Sequence, residues 1–335
     1  MDMIWSEGYT ARFYMTTVDP ATWQDVDRYE IRSGSITKVG TNLCESARLD
    51  LVDVPPGIES WIRIYLTATK MGGGARAPLF TGLLSCPRND WIGQRLANDA
   101  ECYSVLKPAE DILLEKGWYV PAGAVGANVI AELLSGAAPI RVVGTSPELS
   151  NYLIAEDGES KLSMAHKVLQ SIGWRLRITG AGEIQILPKA SEPSAIYDSA
   201  GKDVIEPSVS DERDLFSVPN CFRATREDLV AIAKDEAEDS PFSINNRGRE
   251  VWKEESDCAL ASGETIAEYA LRRLRELQAP ARIISYTKRF DPDTVPGDIV
   301  KIHYPKQKID ADFRIVSQTI TLGHGARTEE EGEMV

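Results

Sequence analysis

Alternation with a period of two dominates the first hundred residues. Ser46-Ala47-Arg48-Leu49-Asp50-Leu51 puts Ala47, Leu49 and Leu51 on one face, and Ile62-Arg63-Ile64-Tyr65-Leu66 does the same with Ile62, Ile64 and Leu66. Arg12 to Val18, rich in aromatic and β-branched residues, and Leu79 to Leu84 read as further strands. Pro55-Pro56-Gly57 and Gly72-Gly73-Gly74 mark turns between them. Short strands joined by turns predict an antiparallel sandwich or barrel.

From about Val105 the spacing becomes helical. Ile112, Leu113 and Glu115 precede Gly117, and Val125, Val129, Ile130, Leu133 and Leu134 share a face up to Gly136. After a strand-like Ile140 to Val143, a helix is predicted over 160–172, with Gly173 as its cap. Trp174 to Ile178 and Glu183 to Leu187 flank Thr179-Gly180-Ala181-Gly182 as a hairpin. Ser191 to Gly201 reads as a polar linker. Strands then return with one strong helix over 264–278, whose stripe is Ile266, Ala267, Ala270, Leu271, Leu274 and Leu277. Glu268→Arg272 and Arg272→Glu276 are its i, i+4 pairs, Arg272, Arg273 and Arg275 favour its C-terminal end, and Pro280 stops it.

The pattern predicts a β-rich α+β protein with two antiparallel β-barrel-like domains separated by a small α/β domain. The boundaries are 1–104 for the first barrel, 105–190 for the middle helix–hairpin domain, 191–325 for the second barrel with the helix 264–278, and 326–335 for a solvated acidic tail. The two ends also resemble each other. Pro56-Gly57, Trp61 to Tyr65 and Leu79-Phe80 run parallel to Pro296-Gly297, Val300 to Tyr304 and Asp312-Phe313. Strand–turn–strand units recur by chance, so chance and duplication both stay open at this point.

Composition narrows the function. A formal charge of −14 over 335 residues argues against binding a phosphate backbone, which needs clustered Lys and Arg. Cys44, Cys86, Cys102, Cys221 and Cys258 are scattered without metal-ligand spacing and read as reduced, buried thiols of a protein made in a cytoplasm. Met1-Asp2-Met3-Ile4 lacks the pattern of a signal peptide, and no apolar run predicts membrane insertion by this chain.

Chemistry is sparse. His166, His303 and His324 form no His-Glu-x-x-His motif, and no Gly-x-Ser-x-Gly elbow places a nucleophile. Asp291, Asp293 and Asp298 invite a calcium reading, but Val295-Pro296 stands where an EF-hand needs a ligand and then glycine, so turn chemistry is expected. The glycine triplet lacks the Gly-Lys-Ser/Thr of a phosphate loop. No catalytic, cofactor-binding or metal-ligating residue is expected, and no enzyme activity.

Asn220 to Ala224, Ser240-Pro241-Phe242-Ser243-Ile244 with Gly248-Arg249, Ala261 to Leu274 with Tyr269-Ala270, and Val295 to Val300 come in an order that resembles the baseplate-hub or tail-hub proteins of tailed bacteriophages and contractile injection systems. Tyr103 to Leu106, Gly117 to Tyr119 and Ile130 to Leu134 resemble that family's middle domain. The resemblance implies a structural homotrimer of the virion, whose six barrels form a pseudo-sixfold ring around a channel. Its partners would be the tail tube or a distal tail protein, the central spike and the tape measure protein, with DNA passing through the lumen without specific binding. Two alternatives accompany it: a hexameric distal tail or tube-closing protein, and a cell-wall-degrading tail enzyme using an Asp/Glu pair.

Overall fold

Ala47, Leu49, Leu51, Ile62, Ile64 and Leu66, the inward positions of the alternating segments, meet in one core with Met15, Ile36, Leu79 and Phe80. Each fully buried aliphatic side chain of this kind contributes about 1.5–3 kcal/mol. The computed structural model describes residues 9–335 except 41–43, 56–58, 71–72, 94, 137, 199–203, 214, 227, 257, 259, 261–263, 279–281, 292 and 324–326. Met1 to Ile4, Pro56-Gly57, Met71-Gly72, Ala261, Pro280 and His324 therefore lie outside the described residues, as does the side chain of Cys44.

The core is wrapped by β1 (Thr10–Val18), β2 (Asp25–Val39), β3 (Cys44–Leu51), β4 (Ser60–Lys70), β5 (Gly73–Ile92) and β6 (Arg95–Ser104). Their order is β1-β4-β5-β6-β3-β2, and β2 pairs back to β1, so the sheet closes into a six-stranded barrel without free edges. Ile64 lies opposite Phe80 in the β4–β5 ladder.

The middle segment packs its own core, with Ile130, Leu134, Met164, Val168, Leu176 and Ile184 buried in it. It comprises α1 (Lys107–Asp111), β7 (Tyr119–Val120), α2 (Gly126–Leu133), β8 (Ile140–Val142), β9 (Leu153–Ile154), α3 (Lys161–Ile172), β10 (Trp174–Ile178) and β11 (Ile184–Pro188). Ser160 caps α3 by accepting from Ser163 N, and Gly173 ends it at φ 67°, as its spacing predicts. The helical reading of Ile112 and Leu113 does not hold: α1 stops at Asp111, and Leu113 forms an isolated bridge with Ser160.

The second set of strands is β12 (Pro193–Asp198), β13 (Val204–Arg213), β17 (Arg282–Arg289), β18 (Ile299–Tyr304), β19 (Ile309–Leu322) and β20 (Arg327–Met334). Between β13 and β17 the chain forms β14 (Cys221–Arg226), β15 (Leu229–Lys234), α4 (Ile244–Arg247), β16 (Trp252–Glu255) and α5 (Ile266–Gln278). The second set is ordered β12-β18-β19-β20-β17-β13. Numbered within each set, both read first-fourth-fifth-sixth-third-second. The β4–β5 and β18–β19 hairpins, which carry the sequence similarity, are thus the same pair in each set. One departure is that β12 runs parallel to β18 whereas β1 runs antiparallel to β4.

Three expectations need correction. Ser191 to Gly201 is not merely a linker, because β12 lies in it and buries Tyr197. Residues 326–335 are not a solvated tail: Arg327–Met334 is a strand that turns Thr328, Glu330 and Gly332 inward and Glu329, Glu331 and Glu333 outward. A run of glutamates hides this alternation, since the buried acid has a buried cation to meet. The stretch 191–325 also holds more than a barrel, for Ser210–Ile284 separates as a unit of its own.

In that unit, α5 packs on β14 and β15 through Tyr269, Ala270 and Leu274 against Phe222, Ala224 and Ala233. Ala267 and Leu271 of the expected stripe face solvent instead. Glu268 does not reach Arg272. It accepts from Thr265 N at 2.9 Å while Thr265 Oγ1 accepts from Glu268 N at 3.3 Å, a reciprocal cap, and Arg272 binds Glu264 and Glu276.

Candidate functional site

The histidines do not converge. His166 is half-buried in α3, where burial lowers its pKa, and the half-buried His303 on β18 lies 3.5 Å from Asp310. Cys102, Cys221 and Cys258 are buried, and burial raises each thiol's pKa, as expected of inert core residues, whereas Cys86 departs from that expectation and is only half-buried. Among the described residues no group of three or more His, Cys, Asp or Glu could hold a metal ion, and no helix is long and apolar enough to cross a membrane. The carboxylates of 291–298 make turn contacts: Asp291 accepts from Asp293 N at 2.9 Å, and Asp298 accepts from Val295 N at 3.1 Å.

Titratable groups gather instead in the interior of the second strand set. Lys288 on β17 and Glu330 on β20 pair at 2.9 Å with side chains 1% and 0% exposed. Glu330 also accepts from Tyr286 at 2.5 Å and from Gln318 at 2.7 Å. The Lys288 ammonium donates to Thr294 Oγ1 at 2.6 Å and to the Tyr197 hydroxyl. Burial pushes Tyr197 up to about 12, and it raises Tyr286 well above the usual tyrosine value. Burial alone would lower Lys288, but the Glu330 carboxylate and the Tyr197 hydroxyl together outweigh it, so its pKa is raised and the ammonium is held charged. Every polar atom that the Lys288 ammonium and Glu330 carboxylate present has a protein partner, so the cluster acts as a register lock between β17, β19 and β20. It offers no accessible nucleophile.

A second network fastens the middle segment to the first barrel. Gly180 O accepts from Thr81 Oγ1 at 2.8 Å, and Ala181 O accepts from Trp23 Nε1 and from Arg63, each at 3.1 Å. This explains why β4 is buried on both faces although its sequence alternates: the 179–182 turn covers Arg63. Arg63 pairs at 2.8 Å with Asp25, which also accepts from Tyr65 at 2.7 Å and Arg76 at 2.8 Å. Burial alone would raise the Asp25 pKa, but the hydrogen bonds from Tyr65, Thr16 and Arg76 and the Arg63 charge together outweigh it and hold the carboxyl below its usual range. Gly180 is needed at the seat, because a Cβ there would lie 1.9 Å from Pro78 O. On the other side of the hairpin, Arg175 binds Asp298 at 2.6 Å and Arg177 donates to Asp293 O at 3.3 Å. Sequence reasoning missed both networks, since nothing marks an outward arginine on an alternating strand as covered.

In the second unit, the residues around Asn220 assemble into one clasp. Asn220 is buried; its Nδ2 donates to Phe242 O at 3.0 Å and Arg249 O at 2.9 Å, and its Oδ1 accepts from Val251 N at 2.7 Å. Ser243 caps α4, and Gly248 closes it at φ 66°. Arg247 and Arg249 then hold the backbone of 215–218 through carbonyl hydrogen bonds. The Asn220, Ser240–Ile244 and Gly248-Arg249 segments, far apart in sequence, are thus parts of one rigid loop support.

No family model matches this chain, and no curated protein does. Among solved structures, the 43 kDa tail protein of prophage MuSo2 from Shewanella oneidensis matches 97% of this chain and 97% of its own, with a TM-score of 0.69 at 11% identity. The fold is that of a phage tail protein. The tail protein from Neisseria meningitidis MC58 agrees over 97% of this chain and 96% of its own, with a TM-score of 0.68 at 13% identity. The E. coli c3393 protein, a type VI secretion component similar to T4 tail proteins gp27 and gp5, matches 92% of this chain and 73% of its own, with a TM-score of 0.51 at 8% identity. The resemblance carried by the Asn220, Ser240 and Pro296 segments is borne out at the level of the fold.

Proposed function

We propose that this chain is a non-catalytic subunit of the hub where the tail tube meets the baseplate, working as a homotrimer. The repeated strand order carries the reading: two alike six-stranded sets per chain would give three chains six similar positions around one axis. Such a ring can face a sixfold tube or a distal tail protein on one side and a threefold spike on the other. The first barrel and the second set would form its wall, and the middle segment of 105–190 would brace them. The tape measure protein and then DNA would pass through the lumen, and an acidic wall, in keeping with the charge of −14, would repel DNA and let it slide. The chain would act in the virion after synthesis in the host cytoplasm. Subunit contacts of an obligate ring would each bury on the order of 2,000 Å² or more.

Sedimentation velocity and native mass spectrometry of the purified chain, alone and with its spike, test the reading. A trimer, formed alone or on adding spike, is expected. A stable monomer that cleaves cell-wall glycan would overturn it, and a hexamer would favour a tube-closing role.

A further inference from the structure

Leu215 and Phe216 are 46% and 75% exposed, yet the backbone that carries them is tied down at the carbonyls of Leu215, Phe216 and Val218. Arg247 donates to Val218 O at 2.5 Å, to Phe216 O at 2.6 Å and to Leu215 O at 3.1 Å. Arg249 donates to Phe216 O at 2.6 Å, and its guanidinium lies 4.0 Å over the Phe216 ring. Hydrogen bonds from charged donors are stronger than neutral ones, so this loop is held more firmly than exposure of its side chains requires. A preorganised aromatic flanked by arginine is the composition of an interface anchor, because little ordering remains to be done on binding.

Among the described residues, Arg247 and Arg249 meet carbonyls and no carboxylate. Neither guanidinium makes an ion pair with a described residue, so both present positive charge beside the Phe216 ring in a chain whose net charge is −14. We infer that the Leu215–Phe216 knob, with Arg247 and Arg249 beside it, docks on an acid-rimmed apolar recess of a second copy of this chain. Charge complementarity selects that occupant: the rest of an equivalent chain is strongly acidic, whereas two knobs facing each other would bring four arginines together. The contact is thus heterologous, knob to recess, and a heterologous contact gives a ring where its rotation closes. The inference rests on the self-assembly proposed above and names one surface that would make it.

The test uses the full chain. Sedimentation velocity should give a trimer whose dissociation constant rises at least about tenfold in Phe216→Ala and further in Phe216→Glu, with wild-type association weakening as salt is raised. Circular dichroism should show both variants folded, as befits an exposed side chain. In a chain carrying Phe216→p-benzoylphenylalanine, which keeps the aromatic ring should the other variants fail to fold, irradiation should yield covalent multimers joined at an acidic segment. A wild-type trimer that Phe216→Ala and Phe216→Glu leave unchanged would overturn this surface while leaving the hub reading intact. A wild type that stays monomeric with and without spike would overturn both. Crosslinks to the spike alone would overturn the choice of a second copy.

Discussion

Replacing Glu330 with alanine would strand the Lys288 ammonium in the interior and remove the acceptor of Tyr286 and Gln318. Breaking one side of a buried ion pair costs about 3–5 kcal/mol, because the remaining charge keeps its desolvation without its partner. At roughly 2–4 °C per kcal/mol for a unit of this size, the melting temperature should fall by about 6–20 °C. Glu330→Gln, which keeps a carbonyl to accept from Tyr286, should fall between the two. Lys288→Met combined with Glu330→Leu removes both charges, although the two tyrosines then lose partners. The double variant should therefore lie at least about 2 kcal/mol above the sum of its single changes. Scanning calorimetry on wild type, Lys288→Met, Glu330→Leu and the double variant measures the cycle, with Glu330→Ala and Glu330→Gln melted alongside. Additivity within about 0.5 kcal/mol, or a Glu330→Ala variant as stable as wild type, would refute the lock. The sign with pH follows from the raised Lys288 pKa: its contribution is full below the ordinary lysine value of 10.5 and is lost as pH climbs through the raised folded-state value.

Asp25, held below its ordinary value of 3.8, contributes stability that is full above that value and is lost as pH falls through its folded-state value. Asp25→Asn should flatten this acid limb in a pH series of urea melts. Gly180→Ala forces a Cβ to 1.9 Å from Pro78 O, backbone against side chain, so the 179–182 turn should lift from the barrel at a cost of about 1–3 kcal/mol. Hydrogen exchange should show faster exchange at 179–182 and at Arg63, and unchanged protection would reject the seat. Thr265→Ala removes the reciprocal cap of α5 and should lower the stability of the second unit by about 1 kcal/mol, read by helical circular dichroism in urea.

Where a strand has one wet face and one dry face, its sequence declares it, as Ala47, Leu49 and Leu51 do. β2 escaped notice because it mixes half-buried charged and apolar positions over fifteen residues, pairing with β1, β3 and β19 in turn. β20 escaped because its inward residues are Thr328, Glu330 and Gly332, which carry no hydrophobic signal at all. The clasp was visible only as segments in a familiar order. That Asn220 would hold two carbonyls and an amide, with Arg247 and Arg249 gripping a loop some thirty residues upstream, depends on long-range geometry that local spacing does not encode.

β19 gives its first half, Ile309 to Arg314, to β18 and its second half, Ser317 to Leu322, to β2. It is a splice common to both strand sets. A slip of one residue along it would exchange inside for outside in the two cores at once, turning out Phe313 in one and Ile320 in the other. Neither set can be re-registered independently, and the two should melt as one cooperative block, so that a load taken up by one is carried directly into the backbone of the other.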